Sequence, residues 1–167
     1  IGGVMRFFIN ILFFITFISY SQDSLNNLLE RSTKHSIPFI SVEQLKAHQQ
    51  NFLLLDAREW EEFHISHLQN ALWVGYKNFS AEEIQQQIKN KETPIVVYCS
   101  LGIRSEKIGE QLKKLGYNNI QNLYGGIFEW KNKGYPVFNN QEQITEKVHA
   151  FNKRWGKWLH NAEKVYE

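Results

Sequence analysis

The chain contains a single cysteine, Cys99, and the residues that follow it indicate that this thiol is reactive. Gly102 lets the backbone curl, so that consecutive N–H groups can point inward at one anion. An amphipathic run opens at Ser105 and adds the positive end of a helix. Both features lower the pKa of a nearby thiol, and the thiolate is the nucleophilic form. The stretch therefore predicts a thiolate that attacks or carries an anionic group.

Arg104 completes this loop and has two possible roles there. It can remain outside the ring of N–H groups and pair with an acid, or it can turn inward and bind a sulfonate or sulfate-like group. The loop that we predict to bind the substrate consists of Ser100, Leu101, Gly102, Ile103, Arg104 and Ser105. A buried, inert cysteine that closes a strand is the alternative interpretation of Cys99.

The elements on either side of the loop are typical of a parallel sheet. Residues 95–98 form an apolar run that fits a buried strand, and residues 105–115 fit a helix. Further strands are predicted at residues 38–40, 52–55, 71–74 and 120–123, with helical patterns between them. We therefore predict an α/β fold of three layers, with a central parallel sheet of about five strands and helices on both faces.

Chemically active residues follow two of these predicted strands. Cys99 comes directly after residues 95–98, and Asp56 and Arg58 come directly after residues 52–55. Parallel sheets bind ligands at the carboxyl ends of their strands, so we expect these residues to share one edge of the sheet. A plain buried ion pair is the alternative interpretation of Asp56 and Arg58.

The first part of the chain has the pattern of a secretory signal peptide over residues 1–21. We interpret Met5 as the start, with residues 1–4 upstream of it. A positive residue and the apolar run at residues 7–18 come next, and small residues favour cleavage after Ser21. The run is too short to span a bilayer as a helix. We therefore expect an exported protein, periplasmic or extracellular, without stable membrane insertion after cleavage.

The rest of the chain divides into three parts. Residues 22–37 indicate a polar linker or short helix, and residues 38–138 hold the alternating strands and helices. Residues 139–167 are predicted to form a C-terminal amphipathic helix. Its apolar stripe consists of Val148, Phe151, Trp155, Trp158 and Leu159. We expect this stripe to pack on the domain, and docking of a protein partner is the alternative.

The composition excludes several classes of function. The formal net charge of +2 is too small to indicate binding to nucleic acid or to an anionic membrane surface. A single cysteine excludes an intramolecular disulfide and a zinc cluster of the CxxC type. No metal and no cofactor are predicted. Export would place the unpaired thiol in an oxidising compartment.

Four motifs in the chain together resemble the single-domain rhodaneses, which are sulfurtransferases. They are LLLDAR at residues 53–58, EEFHISHLQNA at residues 61–71, VYCSLGIRS at residues 97–105, and LYGGIFEW followed by GYPV. The likeness covers residues 39–137 and implies the rhodanese-like version of the α/β fold.

The resemblance also implies a reaction and roles for individual residues. Cys99 would attack a sulfane sulfur donor such as thiosulfate, form a persulfide, and pass the sulfur to cyanide or to a thiol. Asp56 and Arg58 match the acid and base that brace the loop region. His67 matches a histidine of the family's glycine–histidine–isoleucine motif, and we expect it to brace a turn rather than to react.

Some positions match the family's structural signature and others depart from its pattern. Gly125, Gly126 and Trp130 match that signature. Ser100 stands where many members that act on thiosulfate have arginine, so the loop carries one cation and a lower affinity for thiosulfate is expected. The glycine and proline that usually flank the family's histidine are missing around His67.

Two other classes of function fit part of the pattern. Phosphatases and arsenate reductases on the related fold need a longer loop than the spacing from Ser100 to Ile103 provides, and the smaller ring suits a sulfur atom. A non-catalytic or sulfur-carrier module that acts through protein partners remains open. We predict an exported sulfurtransferase that moves sulfane sulfur from thiosulfate or polysulfide to cyanide or a thiol through a Cys99 persulfide.

Overall fold

The computed structural model describes residues 25–166, so the predicted leader at residues 1–21 lies outside the described residues. The chain divides into two units after Ser32. In the first unit, residues 25–32 form helix α1, within the segment where the sequence indicates a linker or short helix. Among residues 25–166, no helix has both the length and the hydropathy needed to cross a membrane.

Five short strands of the second unit form one parallel sheet, which confirms the predicted α/β fold. In chain order they are β1 (Phe39–Ile40), β2 (Leu53–Asp56), β3 (Leu72–Trp73), β4 (Ile95–Tyr98) and β5 (Ile120–Leu123). Across the sheet the order is β1-β5-β4-β2-β3, and every neighbouring pair is parallel. The central strand is β4, and all of its side chains are buried, as its unbroken apolar run predicts.

Helices connect these strands and flank the sheet. They are α2 (Val42–His48), a 3₁₀ turn (Gln49–Asn51), α3 (Trp60–Ile65), α4 (Ala81–Gln87), α5 (Ile103–Lys114) and α6 (Gly126–Asn132). Ser41 forms a capping box at the start of α2, because its hydroxyl accepts from the Gln44 N–H and the Gln44 side chain accepts from the Ser41 N–H. Local capping signals therefore locate the start of α2.

Apolar packing on both sides of the sheet anchors the end of β4. On one face, α4 and α5 cover a core that includes Leu55, Ile84, Ile88, Ile95, Val97, Ile108 and Leu112. Fully burying one such aliphatic side chain contributes about 1.5–3 kcal/mol. Side chains alternate along a strand, so Tyr98 points to the other face, where its hydroxyl accepts from the Leu68 N–H at 3.1 Å. Cys99, the next residue, therefore starts from a rigid strand.

The predicted C-terminal amphipathic helix at residues 139–167 is wrong. The described part of this segment follows β6 (Val137–Phe138) and consists of β7 (Ile144–Thr145), β8 (Lys147–His149), α7 (Lys153–Gly156) and β9 (Glu163–Val165). β6 and β7 pair antiparallel, and β8 and β9 pair in parallel. We call residues 147–166 the C-terminal strap.

Backbone breaks explain why the helical spacing of the strap does not produce one helix. Phe151 has a φ of +64°, which a helix cannot contain, and Asn152 caps the short helix α7. Gly156 ends α7, and glycine inside a helix costs about 1 kcal/mol. Val148 and Leu159 are nevertheless fully buried, so the apolar spacing reflects burial from two different elements. The stripe packs back on the domain, as expected, but without forming a helix.

Candidate active site

The carboxyl ends of β2 and β4 lie side by side at one edge of the sheet. Asp56 is in register with Tyr98, so Cys99 begins its loop beside the end of β2. This parallel register brings together the two sets of residues that the sequence places after strands. The Cys99 side chain is a free thiol and is fully buried.

The Cys99 sulfur receives a hydrogen bond from the backbone of its own loop. The Gly102 N–H donates to Cys99 Sγ over 3.1 Å. Gly102 has a φ of +110°, in the left-handed region that glycine adopts without strain. Helix α5 begins at the next residue, Ile103, so its N-terminus follows the turn directly. The curled backbone and the helix start therefore both lie next to the sulfur.

The surroundings of the sulfur lower the pKa of the Cys99 thiol. Burial acts in the opposite direction, because it disfavours the charged thiolate. The charge of Arg104 has the largest lowering effect, followed by the Ser105 hydroxyl and the backbone N–H groups of Ser105 and Gly102. The net result favours the thiolate, which is the nucleophilic form.

Arg104 pairs with an acid outside the loop, which is the first of the two roles that the sequence allows. Its Nη1 donates to Glu62 Oε2 over 2.6 Å, and its Nη2 donates to Glu62 Oε1 over 2.7 Å. Nη2 also donates to Ser100 Oγ over 2.9 Å, and the Ser100 hydroxyl donates to Glu62 Oε1 over 3.0 Å. The positive charge at the loop is therefore balanced by a buried carboxylate.

Sequence reasoning missed Glu62 as a site residue. Acidic residues are favoured at helix starts, and that preference accounts for Glu62 near the start of α3 without any further role. In the structure, Glu62 is 2% exposed and accepts hydrogen bonds from Arg104, from Ser100 and from the Glu59 N–H. No local sequence signal pairs Glu62 with Arg104, because the two residues belong to different elements.

The remaining predicted loop residues shape the turn. Leu101 is fully buried, and Ile103 is half-buried at the start of α5. Ser105 Oγ donates to Asn122 Oδ1 over 2.7 Å and lies 3.5 Å from Cys99 Sγ. The Ser105 hydroxyl is therefore within hydrogen-bond reach of both Asn122 Oδ1 and Cys99 Sγ.

Asn122 on β5 is a second site residue that sequence reasoning missed. Its Nδ2 donates to Gly102 O over 2.8 Å, while its Oδ1 accepts from Ser105. One fully buried amide thus joins the left-handed turn to the first turn of α5. The available signal was a polar residue within a buried strand, which needs hydrogen-bond partners.

Replacing Asn122 by Asp is expected to raise the pKa of the Cys99 thiol. The carboxylate has no donor for the Gly102 carbonyl, and its charge disfavours the nearby thiolate. We expect alkylation by iodoacetamide near neutral pH to slow about tenfold, as measured from the pH dependence of the rate. Asn119→Asp makes the same change at an exposed position just before β5 and should leave the alkylation profile in place. If both variants show the same pH dependence of alkylation, Asn122 has no role in the ionisation of the Cys99 thiol.

Asp56 and Arg58 form a fully buried ion pair. Arg58 Nη2 donates to Asp56 Oδ2 over 2.6 Å, and the same nitrogen donates to Ser66 O over 2.6 Å. These contacts tie the end of β2 to the end of α3. Because α3 carries Glu62, the pair braces the helix that holds Arg104.

His67 forms an isolated antiparallel bridge with Phe138, the last residue of β6. Its backbone exchanges two hydrogen bonds of 2.9 Å with Phe138. Its ring stacks on Phe63 with the centroids 4.2 Å apart, and Nδ1 lies 3.2 Å from Phe63 O. Among residues 25–166, none of the hydrogen bonds of His67 reaches the Cys99 loop.

The glycine pair Gly125–Gly126 seats α6 against the loop. The Ile127 N–H donates to Cys99 O over 2.9 Å, and the Phe128 N–H donates to Ser100 O over 3.2 Å. These bonds direct the two loop carbonyls toward α6. Because the C=O and N–H groups of a trans peptide point in opposite directions, the N–H groups of the same peptides point away from α6. The start of α6 therefore helps to orient the loop backbone.

Trp130 closes α6 against the turn that follows it. Its Nε1 donates to Pro136 O over 2.9 Å, and its ring packs on Tyr135 with the centroids 5.0 Å apart. These contacts are structural, and they explain why the tryptophan and the glycine–tyrosine–proline stretch occur together.

Comparison with known proteins gives a family match and a set of curated relatives. The family model described as Rhodanese-like domain matches residues 41–133. The tRNA uridine(34) hydroxylase of Prochlorococcus marinus (strain MIT 9312) is 36% identical over 88 residues, which are 48% of this chain and 28% of that protein. The protein of the same name from Escherichia coli (strain K12 / DH10B) is 36% identical over 94 residues, which are 51% of this chain and 26% of that protein. The chain thus spans little more than a quarter of the length of these relatives.

Two solved structures share the fold at low sequence identity. Thiosulfate sulfurtransferase from Pseudomonas aeruginosa has a TM-score of 0.58 and 17% identity, over 83% of this chain and 26% of that chain. The Rhodanese-like domain from Anabaena sp. has a TM-score of 0.56 and 21% identity, over 61% of this chain and 79% of that chain. At these identities the likeness shows the fold alone.

Proposed function

The chain belongs to the rhodanese-like domain family, and from this premise we propose that it is a sulfurtransferase that carries sulfane sulfur on Cys99. The observation that carries this proposal is the Gly102 N–H directed at Cys99 Sγ, beside the charge of Arg104. A thiol held in this way ionises readily and needs no separate general base.

The proposed reaction has two steps. In the first, the Cys99 thiolate attacks the sulfane sulfur of the donor and forms a new S–S bond. The donor's own bond to that sulfur breaks, and its electron pair leaves with the rest of the donor, as sulfite from thiosulfate, as a shorter polysulfide from polysulfide, or as a thiolate from a persulfide. In the second, cyanide or an acceptor thiolate attacks the terminal sulfur, and the electron pair of the S–S bond returns to Sγ as thiolate.

A donor of low charge fits this loop better than thiosulfate does. The carboxylate of Glu62 balances the charge of Arg104, and Ser100 contributes a hydroxyl instead of a second cation. A thiosulfate dianion would rely mainly on backbone N–H groups, whereas an alkyl persulfide brings at most one negative charge into the site. We therefore propose persulfides as the preferred donors.

Intact-mass measurement tests the function directly. Protein incubated with an alkyl persulfide, and separately with thiosulfate, is expected to gain the mass of one sulfur atom, with the larger yield from the persulfide. Cyanide should remove that sulfur as thiocyanate. The Cys99→Ser variant should gain no mass, because serine oxygen cannot form the persulfide. If the mass of the unaltered protein does not change with either donor, the proposed sulfurtransferase activity is wrong, and a non-catalytic binding module is favoured.

Export is proposed from residues 1–21 of the sequence alone. The N-terminal residue of protein recovered outside the cytoplasm is expected to be Gln22. Retention of residues 5–21 on that protein would contradict cleavage.

A further inference from the structure

The C-terminal strap covers the guanidinium of Arg104 with two aromatic rings. The ring centroid of Phe151 lies 4.6 Å from Arg104 Cζ, and that of Trp155 lies 5.9 Å from it. The two rings also contact each other, with their centroids 4.7 Å apart. The Arg104 side chain is only 8% exposed, so the rings and Glu62 together enclose its guanidinium.

Phe151 is held over Arg104 in an unfavourable backbone conformation. Its φ of +64° lies in the left-handed region, which bulky side chains rarely adopt. The residue is 36% exposed, so burial in a core does not account for this conformation. The Phe151 N–H donates to His149 Nδ1 over 3.1 Å and fixes the turn. Backbone strain of this kind concentrates at functional sites, and here it places a ring on the cation of the loop.

The strap is anchored by contacts that do not involve these two rings. Val148 in β8 is fully buried, and β8 packs against α3. Further along the strap, Asn132 Nδ2 donates to Trp158 O over 2.8 Å, and Asn132 Oδ1 accepts from the His160 N–H over 2.7 Å. The rings can therefore be removed by substitution while the strap stays attached.

Resting on the proposed function, we propose that Phe151 and Trp155 are specificity-determining residues that favour sulfane donors of low charge. The rings lie against the guanidinium of Arg104, while Glu62 takes hydrogen bonds from both of its Nη atoms. The remaining Nε–H is buried and has no hydrogen-bond partner among the described residues. A dianionic donor is thereby kept from the one cation of the loop, whereas a persulfide needs only the backbone N–H groups at Cys99.

Two thiosulfonate-type donors that differ in charge test this selectivity. Thiosulfate is a dianion, methanethiosulfonate is a monoanion, and both carry the same kind of sulfane sulfur. In the Phe151→Gly/Trp155→Ala variant, kcat/KM for thiosulfate should rise about fivefold, because the anion gains access to Arg104 and its Nε–H. The value for methanethiosulfonate should change less than about twofold. An equal change for both donors would overturn the proposal, since it would show an effect on access without selection by charge.

Matched variants separate this role from general loosening of the strap. Trp158→Ala removes a half-buried tryptophan of the same strap whose ring is not on Arg104, and it should leave the ratio of the two kcat/KM values unchanged. Phe151→Gly alone suits the left-handed backbone, so its melting temperature should stay the same or rise. A lower melting temperature for Phe151→Gly, with no change in selectivity, would assign Phe151 a structural role and overturn the proposal.

A second readout does not require sulfur transfer. Iodoacetate is anionic and iodoacetamide is neutral, so the ratio of their alkylation rates at Cys99 reports how well an anion is accepted. This ratio should rise in the Phe151→Gly/Trp155→Ala variant and not in Trp158→Ala. If no donor forms a persulfide, the proposed function fails, but the alkylation ratio still decides the role of the rings. An unchanged ratio would overturn that role.

Discussion

Replacing Arg104 by Met is expected to destabilise the fold by about 3–5 kcal/mol, because it leaves the buried carboxylate of Glu62 without its cation. Both Nη atoms of Arg104 donate to this carboxylate, and Glu62 is 2% exposed. The pKa of the Cys99 thiol should also rise, since burial already raises it and the charge of Arg104 is the main effect that lowers it. Urea unfolding measures the first effect, and the pH dependence of iodoacetamide alkylation measures the second.

Two further variants make this prediction specific. Lys107→Met removes an exposed cation from the same helix, and it should change stability by less than about 0.5 kcal/mol and leave the alkylation profile in place. The double variant Glu62→Gln/Arg104→Met should recover part of the lost stability, because no unpaired charge remains buried. It should not recover the low pKa of Cys99. If Arg104→Met instead keeps the alkylation profile of the unaltered protein, the backbone N–H groups are what lowers the pKa of Cys99.

The same pair predicts how stability depends on pH. Burial raises the pKa of Glu62, but the hydrogen bonds and charge of Arg104 outweigh burial and lower it. A carboxyl with a lowered pKa in the folded state stabilises the fold above its ordinary pKa, and this contribution is lost as the pH falls through the lowered value. The Glu62→Gln/Arg104→Met variant should therefore lose less stability on acidification than the unaltered protein.

Replacing Gly126 by Ala is expected to cost about 2–5 kcal/mol, through backbone strain and overpacking together. Gly126 has a φ of +57°, and a Cβ there would lie 2.2 Å from Cys99 O and 2.6 Å from Ser100 O. Both contacts are to backbone, so either α6 or the loop must move. Since the Ile127 N–H bonds to Cys99 O, movement should also displace the loop and raise the pKa of the Cys99 thiol. Urea unfolding and the alkylation profile measure these two effects.

Gly134→Ala is the matched control for this substitution. Gly134 has a φ of +81°, but no heavy atom would lie within 4 Å of an added Cβ. It should therefore cost only the strain of a left-handed side chain, about 1–2 kcal/mol, and leave the alkylation profile unchanged. Equal losses of stability in the two variants would show that close packing of α6 on the loop is unimportant.

Most of the secondary structure before the strap follows from local signals. The apolar runs at residues 95–98 and 120–123 predict β4 and β5 with the bounds that the structure has. The capping residue Ser41 locates α2 because it satisfies backbone groups within the same turn. Local signals predict the wrong structure for the strap. Helical spacing shows which side chains are buried, but it does not reveal a residue with a left-handed backbone such as Phe151.

The residues of the candidate site also fall into two groups, those that local interactions predict and those that long-range contacts bring to the loop. Cys99 and Gly102 are neighbours in the chain, and their residue types alone predict a backbone turn around a thiol. Glu62, Asn122 and Phe151 contact the loop from three other elements, and residue spacing says nothing about such contacts.

By itself, then, the sequence determined the strand, the nucleophile and the turn at Cys99, because each depends on interactions within a few residues. Only the tertiary structure decided what the charge of Arg104 does. The guanidinium is held by Glu62 on one helix and covered by Phe151 on the strap. A buried charge must be balanced by whatever the fold brings to it, and parallel sheets bring together residues that are far apart in the chain.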